Sequence, residues 1–312
     1  MFKMKSVLYI VAIFSLALAS CTERIEDKQP SDVQNGVITM VSASVKPLVV
    51  EGLEGVGNYQ WGERELGIVL SNGENVRYLP VKSTTGDSEA YFYGDVVDGE
   101  MSIYMPYSNE NGERAKAGRL SMLPEQTYYA DPFDHLMYNS NFLATTTGTH
   151  VEFDYYAGLL KVEVQYELYN IDSVQVMVGN IETDGTYDSF VSGDYSISND
   201  KLDNESSRSE SVVVKMPEKG LNATVENPLT LWVALAPGTY QNFIVIVKGE
   251  NKDGENLSIT LPVKGENEQK EENPFVVERC ALTPQTCVAK KVDYDNGIGD
   301  FEGKPGEFNP VE

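Results

Sequence analysis

The sequence predicts an all-β protein: two antiparallel Greek-key β-sandwich domains in tandem, with little helix. Three observations carry this. Apolar and polar residues alternate, most clearly from Leu159 to Leu168, where Leu160, Val162, Val164, Tyr166 and Leu168 would share one face and Lys161, Glu163, Gln165 and Glu167 the other. Turn residues such as Ser71-Asn72-Gly73, Pro237-Gly238 and Asp253-Gly254 punctuate the apolar runs. No stretch shows a capped apolar pattern of helical period. A period of two with one apolar face is the mark of a half-buried antiparallel strand, and many short strands closed by turns pack as sandwiches or barrels.

The chain opens with Lys3 and Lys5, an apolar run from Val7 to Leu18 and small residues at 19 and 20. This is the layout of a secretory signal, residues 1–20, and it is shorter than the roughly 20 apolar residues a spanning helix needs. Leu18-Ala19-Ser20-Cys21 resembles the bacterial lipobox, so Cys21 is expected to become the acylated first residue of the mature chain. Two or three acyl chains suffice for stable anchoring in a membrane. Residues 21–36 are polar and without periodicity and read as a flexible tether.

Strands are expected at Val37 to Val45, Leu66 to Leu70, Ala90 to Tyr93 and Met101 to Met105, the last stopped by Pro106. These define an N-terminal domain, 37–148, ending in the polar run Thr145 to Thr149. A C-terminal domain, 149–312, holds Leu159 to Leu168, Val174 to Val178, Leu229 to Ala236, Phe243 to Val247 and Leu257 to Val263. Roughly 290 mature residues are enough for two cores.

Asp and Glu number 48 against 24 Lys and Arg, a formal charge of −24, and loss of Lys3 and Lys5 with the signal makes the mature chain more acidic still. Such a chain repels nucleic acid and anionic headgroups. Cys280 and Cys287 flank Pro284 in a short segment, and in an exported protein they either close one disulfide or stay as two separately buried thiols. His135 and His150 stand outside any metal-ligand spacing, and each is read as solvated or structurally hydrogen-bonded. No nucleophile elbow, phosphate loop or dinucleotide fingerprint is present. Asp293-Tyr294-Asp295-Asn296-Gly297 begins like a calcium loop, but Lys304 stands where the bidentate glutamate belongs, so it reads as a turn. No catalytic residue, metal ligand or cofactor is therefore expected.

Four stretches together resemble the fimbrillin family of Bacteroidales lipoproteins, which includes type V pilus subunits and the Mfa-like group. They are the lipobox with its tether and first strand, Ile38 to Ala43; Glu65 to Gly73 with its Asn-Gly turn; Ile103-Tyr104-Met105-Pro106-Tyr107 with Leu123-Pro124-Glu125-Gln126-Thr127-Tyr128; and Val151 to Val162. The resemblance implies two tandem β-sandwiches, a cell outer membrane or fimbrial location, and assembly with other fimbrial subunits by β-strand complementation. In such assembly a protease removes the first strand, here Ile38, Met40, Val41, Ala43 and Val45, and a neighbour's segment takes its place. A host or bacterial surface ligand is a further expected partner.

The sequence departs from the family where processing would occur. Lys46, followed by Pro47, stands where processed subunits carry arginine, and the next arginine downstream is Arg64. Lys46 and Arg64 are the candidate processing sites, and a chain left uncut would suit an anchor. The best candidate donor segment is Thr286 to Val292. The competing expectation is a lipid-anchored carbohydrate-binding protein of a nutrient-uptake system. It would need a flat aromatic face drawn from Tyr91, Phe92, Tyr93, Tyr104, Tyr107, Tyr128 and Tyr129.

Overall fold

The computed structural model describes residues 38–47, 59–84, 88–95, 99–179, 186–203, 207–217, 220–264 and 273–290. Cys21, the tether, the 293–297 cluster and the chain beyond 290 lie outside the described residues. The first half contains strands β1 (Ile38–Val45), β2 (Leu66–Leu70), β3 (Asn75–Pro80), β4 (Glu89–Asp95), β5 (Met101–Met105), β6 (Arg119–Met122), β7 (Glu125–Thr127), β8 (Phe142–Thr146) and β9 (His150–Phe153). Two short helices interrupt them, α1 (Asn109–Lys116) and α2 (Pro132–Tyr138). The second half contains β10 (Gly158–Gln165), β11 (Leu168–Val178), β12 (Gly193–Ser196), β13 (Lys201–Leu202), β14 (Ser211–Lys215), β15 (Leu221–Ala223), β16 (Leu229–Leu235), β17 (Gly238–Tyr240), β18 (Asn242–Glu250), β19 (Asn256–Lys264), β20 (Phe275–Val277) and β21 (Cys287–Lys290).

The fold is all-β. A seven-stranded sheet runs β8-β5-β2-β3-β4-β1-β9, and a six-stranded sheet holds β19-β18-β11-β14-β7 with β15 beside β11. A three-stranded sheet, β16-β10-β21, completes the second sandwich, and smaller sheets join β13-β12-β6 and β17-β20. Most pairings are antiparallel, as expected; β1 with β9, β10 with β21 and β7 with β14 are parallel.

Alternation places the strands. In β10, Leu160, Val162 and Val164 are fully buried in one core, as the sequence pattern requires. The expected strand from Leu159 to Leu168 is in fact two: the chain turns at Tyr166 and Glu167, and Leu168 begins β11. The apolar period passes through the turn unbroken, so periodicity alone does not reveal it.

The continuous apolar run of β16 has a separate cause. Leu231, Val233 and Leu235 point into the second core, while Trp232 and Ala234 point into the first. A strand buried on both faces has no polar side, and its sequence loses alternation for that reason. β16 and the start of β10 therefore form a wall shared by both cores. Residues 150–153, next to the expected boundary at 148, pair with β1 in the first sheet, and Val151 and Phe153 fill the first core.

Both helices are capped but carry too few turns for an apolar period to repeat. The Ser108 side chain accepts from the Asn111 amide, and Asp131 accepts from Phe133 and Asp134 with Pro132 in the first turn. His135, read from the sequence as solvated or structurally hydrogen-bonded, is fully buried in α2.

Candidate functional site

β1 is the centre of the candidate site because it carries the exchangeable strand the sequence suggests. Val41, Ala43 and Val45 face inward and are buried, whereas Met40 faces out and is 44% exposed. Of the candidate displaced strand, Met40 lies on the outer face: the period-two pleat leaves it no other place once Val41 is inside. Ile38 begins the strand opposite Asp95.

β1 is hydrogen-bonded along both edges. Against β4 it is antiparallel, with Val41 opposite Phe92 and Ala43 opposite Ala90. Against β9 it is parallel, from Ser42 beside His150 to Val45 beside Phe153. The Ser42 amide donates to the Thr149 carbonyl at 2.8 Å, and the Lys46 amide to Phe153 at 3.0 Å. On the outer face Ser42 Oγ lies 2.9 Å from His150 Nδ1, which also approaches Glu89 at 3.2 Å. Beneath the sheet, Trp61 packs edge-on against Phe92, with ring centroids 5.5 Å apart, and against Tyr59 at 5.0 Å.

The end of β1 is tied to the C-terminal part of the chain through one carboxylate. Lys46 Nζ lies 2.7 Å from Asp154 Oδ2, and Arg279 Nη2 lies 3.0 Å from the same oxygen. The hydrogen bond to Asp154 raises the Lys46 pKa. Arg279 also donates to the Tyr155 carbonyl at 2.7 Å, and its guanidinium sits 3.9 Å above the Tyr156 ring. Lys46 and Pro47 are exposed. Arg64 is half-buried: its guanidinium packs on the rings of Tyr59 and Tyr138, at 5.4 Å and 5.2 Å, and donates to the Tyr59 hydroxyl. Of the two candidate processing sites, Lys46 is therefore the open one.

Cys280 and Cys287 are free thiols in this structure, so of the two expected alternatives it holds separate thiols rather than the disulfide. The segment between them runs along β10 through bends at 281, 284 and 285: the Cys280 amide donates to the Ala157 carbonyl, and Cys287 pairs with Val162. That interval of strand is about 15 Å long at roughly 3.3 Å per residue, and a disulfide needs Cα atoms within about 7 Å. Burial pushes the Cys287 thiol up to about 12 and raises that of Cys280. The candidate donor, Thr286 to Val292, contributes β21 to its own chain, with Cys287 and Ala289 buried; residues 291 and 292 lie outside the described residues.

A clamp of side-chain amides holds the two halves together, and sequence reading missed it. Gln126 accepts from the Ala234 amide at 3.0 Å and donates to the Ala234 carbonyl at 2.6 Å, pairing with β16 as a strand would. His135 Nε2 lies 2.9 Å from the same Gln126 Oε1. Desolvation holds the His135 imidazole down at about 3, so it is neutral and donates through Nε2. Asn139 repeats the pattern on Thr127, bonding both its amide and its carbonyl at 2.9 Å. The signal in the sequence is the Glu125-Gln126-Thr127 stretch itself, quoted above only as a resemblance.

The aromatic residues do not form a flat exposed face. Phe92 and Tyr104 are buried, Tyr107 stacks on Tyr104 and Tyr129 on Tyr138, and Tyr91 is 39% exposed. Among the described residues no group of three His, Cys, Asp or Glu side chains is placed to hold a metal ion.

No family model matches the sequence, and no curated protein matches it. The fold is similar to three solved structures at low identity. One is a candidate cell adhesion protein from Bacteroides ovatus, 12% identical, TM-score 0.39, covering 79% of this chain and 98% of the other. Another is a candidate adhesin from the same organism, 10% identical, TM-score 0.35, covering 85% and 97%. A third is the tip fimbrial protein Mfa3 from Porphyromonas gingivalis with a C-terminal truncation, 12% identical, TM-score 0.29, covering 76% and 85%.

Proposed function

We propose that this chain is a fimbrial subunit or fimbrial-type surface adhesin, exported as a lipoprotein and anchored in the outer membrane through Cys21. The observation that carries the reading is the position of β1. It is the first described strand, it lies between β4 and β9 rather than at an edge, and it fills the first core with Val41, Ala43 and Val45. Its loss would expose two rows of unpaired backbone groups facing each other across a strand-wide groove, which is a template for β-augmentation. The reading assigns the chain no catalytic step.

Two features favour an anchor or accessory subunit over a processed stalk subunit. The bond after Lys46 precedes proline, and Lys46 is held by Asp154. The best donor candidate, Thr286 to Val292, contributes β21, which is engaged with β10 of its own chain, so donation would require β21 to leave.

The deciding measurement is the N-terminus of the mature protein isolated from cells. A blocked, acylated Cys21 makes the chain an anchor. A start between residues 46 and 65 makes it a polymerising subunit whose β1 has been replaced. Recovery only as an acylated monomer, with none in a pilus fraction, would exclude the stalk role.

A further inference from the structure

We propose that the cleft beside Arg64 binds a carboxylate-bearing sugar, such as a uronic or sialic acid. The cleft lies between α1, the C-terminal end of α2 and the β6–β7 stretch, with a volume of about 480 Å³. That is within the usual range for small-ligand pockets, about 300–1,000 Å³. The proposal does not rest on how the subunit assembles, since every lining residue belongs to one chain.

Arg64 carries the argument. This chain has twice as many acidic as basic residues, and most of its partly buried guanidiniums find carboxylates: Arg114 pairs with Glu110 and Asp194, Arg119 with Asp203 and Arg279 with Asp154, whereas Arg208 lies over the Phe190 ring and donates to the Leu202 carbonyl. Arg64 pairs with no carboxylate among the described residues. Its Nη1 donates to the Tyr59 hydroxyl, and two tyrosine rings fix its plane. A guanidinium is always charged and offers a rigid fork that matches a carboxylate through two parallel hydrogen bonds. Because packing has already immobilised this one, little entropy is left to lose on binding.

The rest of the wall selects the kind of carboxylate. Arg114 is already held by Glu110 at 2.6 Å and Asp194 at 2.7 Å, so Arg64 is the guanidinium of the wall with no carboxylate paired to it. One fork suits a singly charged planar acid better than a phosphate. Around it stand the Ser121 and Ser140 hydroxyls and the Asn111 and Asn141 amides, groups that pair with ring hydroxyls, and the half-buried Tyr138 ring supplies an apolar side.

The test is calorimetric titration of the full-length purified chain with galacturonic acid and N-acetylneuraminic acid, beside galactose, methyl galacturonate, acetate and inorganic phosphate. At least one acidic sugar should bind, and its uncharged counterpart should bind at least tenfold more weakly. Arg64→Lys keeps the charge but loses the fork, and should weaken binding about tenfold or more. Ser121→Tyr fills the cleft without altering Arg64 and should abolish binding, with thermal melting confirming that it folds. No binding by either acidic sugar, equal binding of the ester, equal binding of acetate or phosphate, or binding that survives both variants would each overturn the proposal. The mature N-terminus in cells tests the assembly reading separately.

Discussion

Removing β1 should unfold the first core and leave it rescuable by the missing strand alone. The perturbation is a chain that begins at Pro47. It loses Val41, Ala43 and Val45 from the interior, where they are 0%, 0% and 7% exposed. At about 0.8 kcal/mol per buried carbon group, two valines and an alanine contribute roughly 6 kcal/mol. Ladder bonds to β4 and β9 add about 1 kcal/mol each. Single domains have only about 5–15 kcal/mol of net stability, so the first core should not survive the loss. The assay is built into the chain, because both tryptophans, Trp61 and Trp232, belong to the first core. Their emission should shift to the red in the shortened chain and return when a synthetic peptide spanning Ile38–Val45 is added. A peptide carrying Val41→Asp should fail, while one carrying Met40→Lys should work, since Met40 faces solvent. If the shortened chain keeps its native emission and melts where the full chain does, β1 is not an integral strand and the exchange reading fails.

Further outcomes follow from the junction and the clamp. Gly158→Ala should destabilise the wall by about 2 kcal/mol or more in urea unfolding, because the added Cβ would lie 2.1 Å from the Glu278 carbonyl oxygen. His135 has a folded pKa near 3, below its ordinary value of 6.5, so its contribution is present above pH 6.5 and lost as pH falls toward 3. Urea midpoints at pH 7 and pH 4 should therefore fall further for the wild type than for His135→Gln, with a difference of about 1.4 kcal/mol per pH unit within that window. Both thiols should keep the same mass before and after reduction. Cys287 should resist a thiol reagent until the chain unfolds, and its raised pKa makes stability fall as pH rises from 9 toward 12. A mass gain of two hydrogens on reduction of the monomer would restore the disulfide.

Much of the fold can be read from the chain because a strand with one wet face must alternate. β1, β2, β4, β5, β10, β18 and β19 each fall where apolar residues recur at every second position or cluster between turn residues. The candidate site is less legible. The β1 pattern marks a strand, yet nothing local says that it lies between β4 and β9, since partners are chosen by residues about fifty and more than a hundred positions away. Gln126 and His135 look like loop polar residues until β16 is beside them. Arg64 looks like a cleavage site until Tyr59 and Tyr138 close on it.

The sequence by itself determines the strand-forming character of the chain and its acidity, and it carries the expectation of an export signal and an acylated Cys21, because these depend on neighbouring residues alone. Only the tertiary structure decides that β16 and β10 serve two cores, that the cysteines are held apart along one strand, that β21 is occupied in its own chain, and that Arg64 lines a cleft with no carboxylate paired to it. Each of these is a relation between residues far apart in sequence, set by which surfaces bury one another, and local composition carries no record of it.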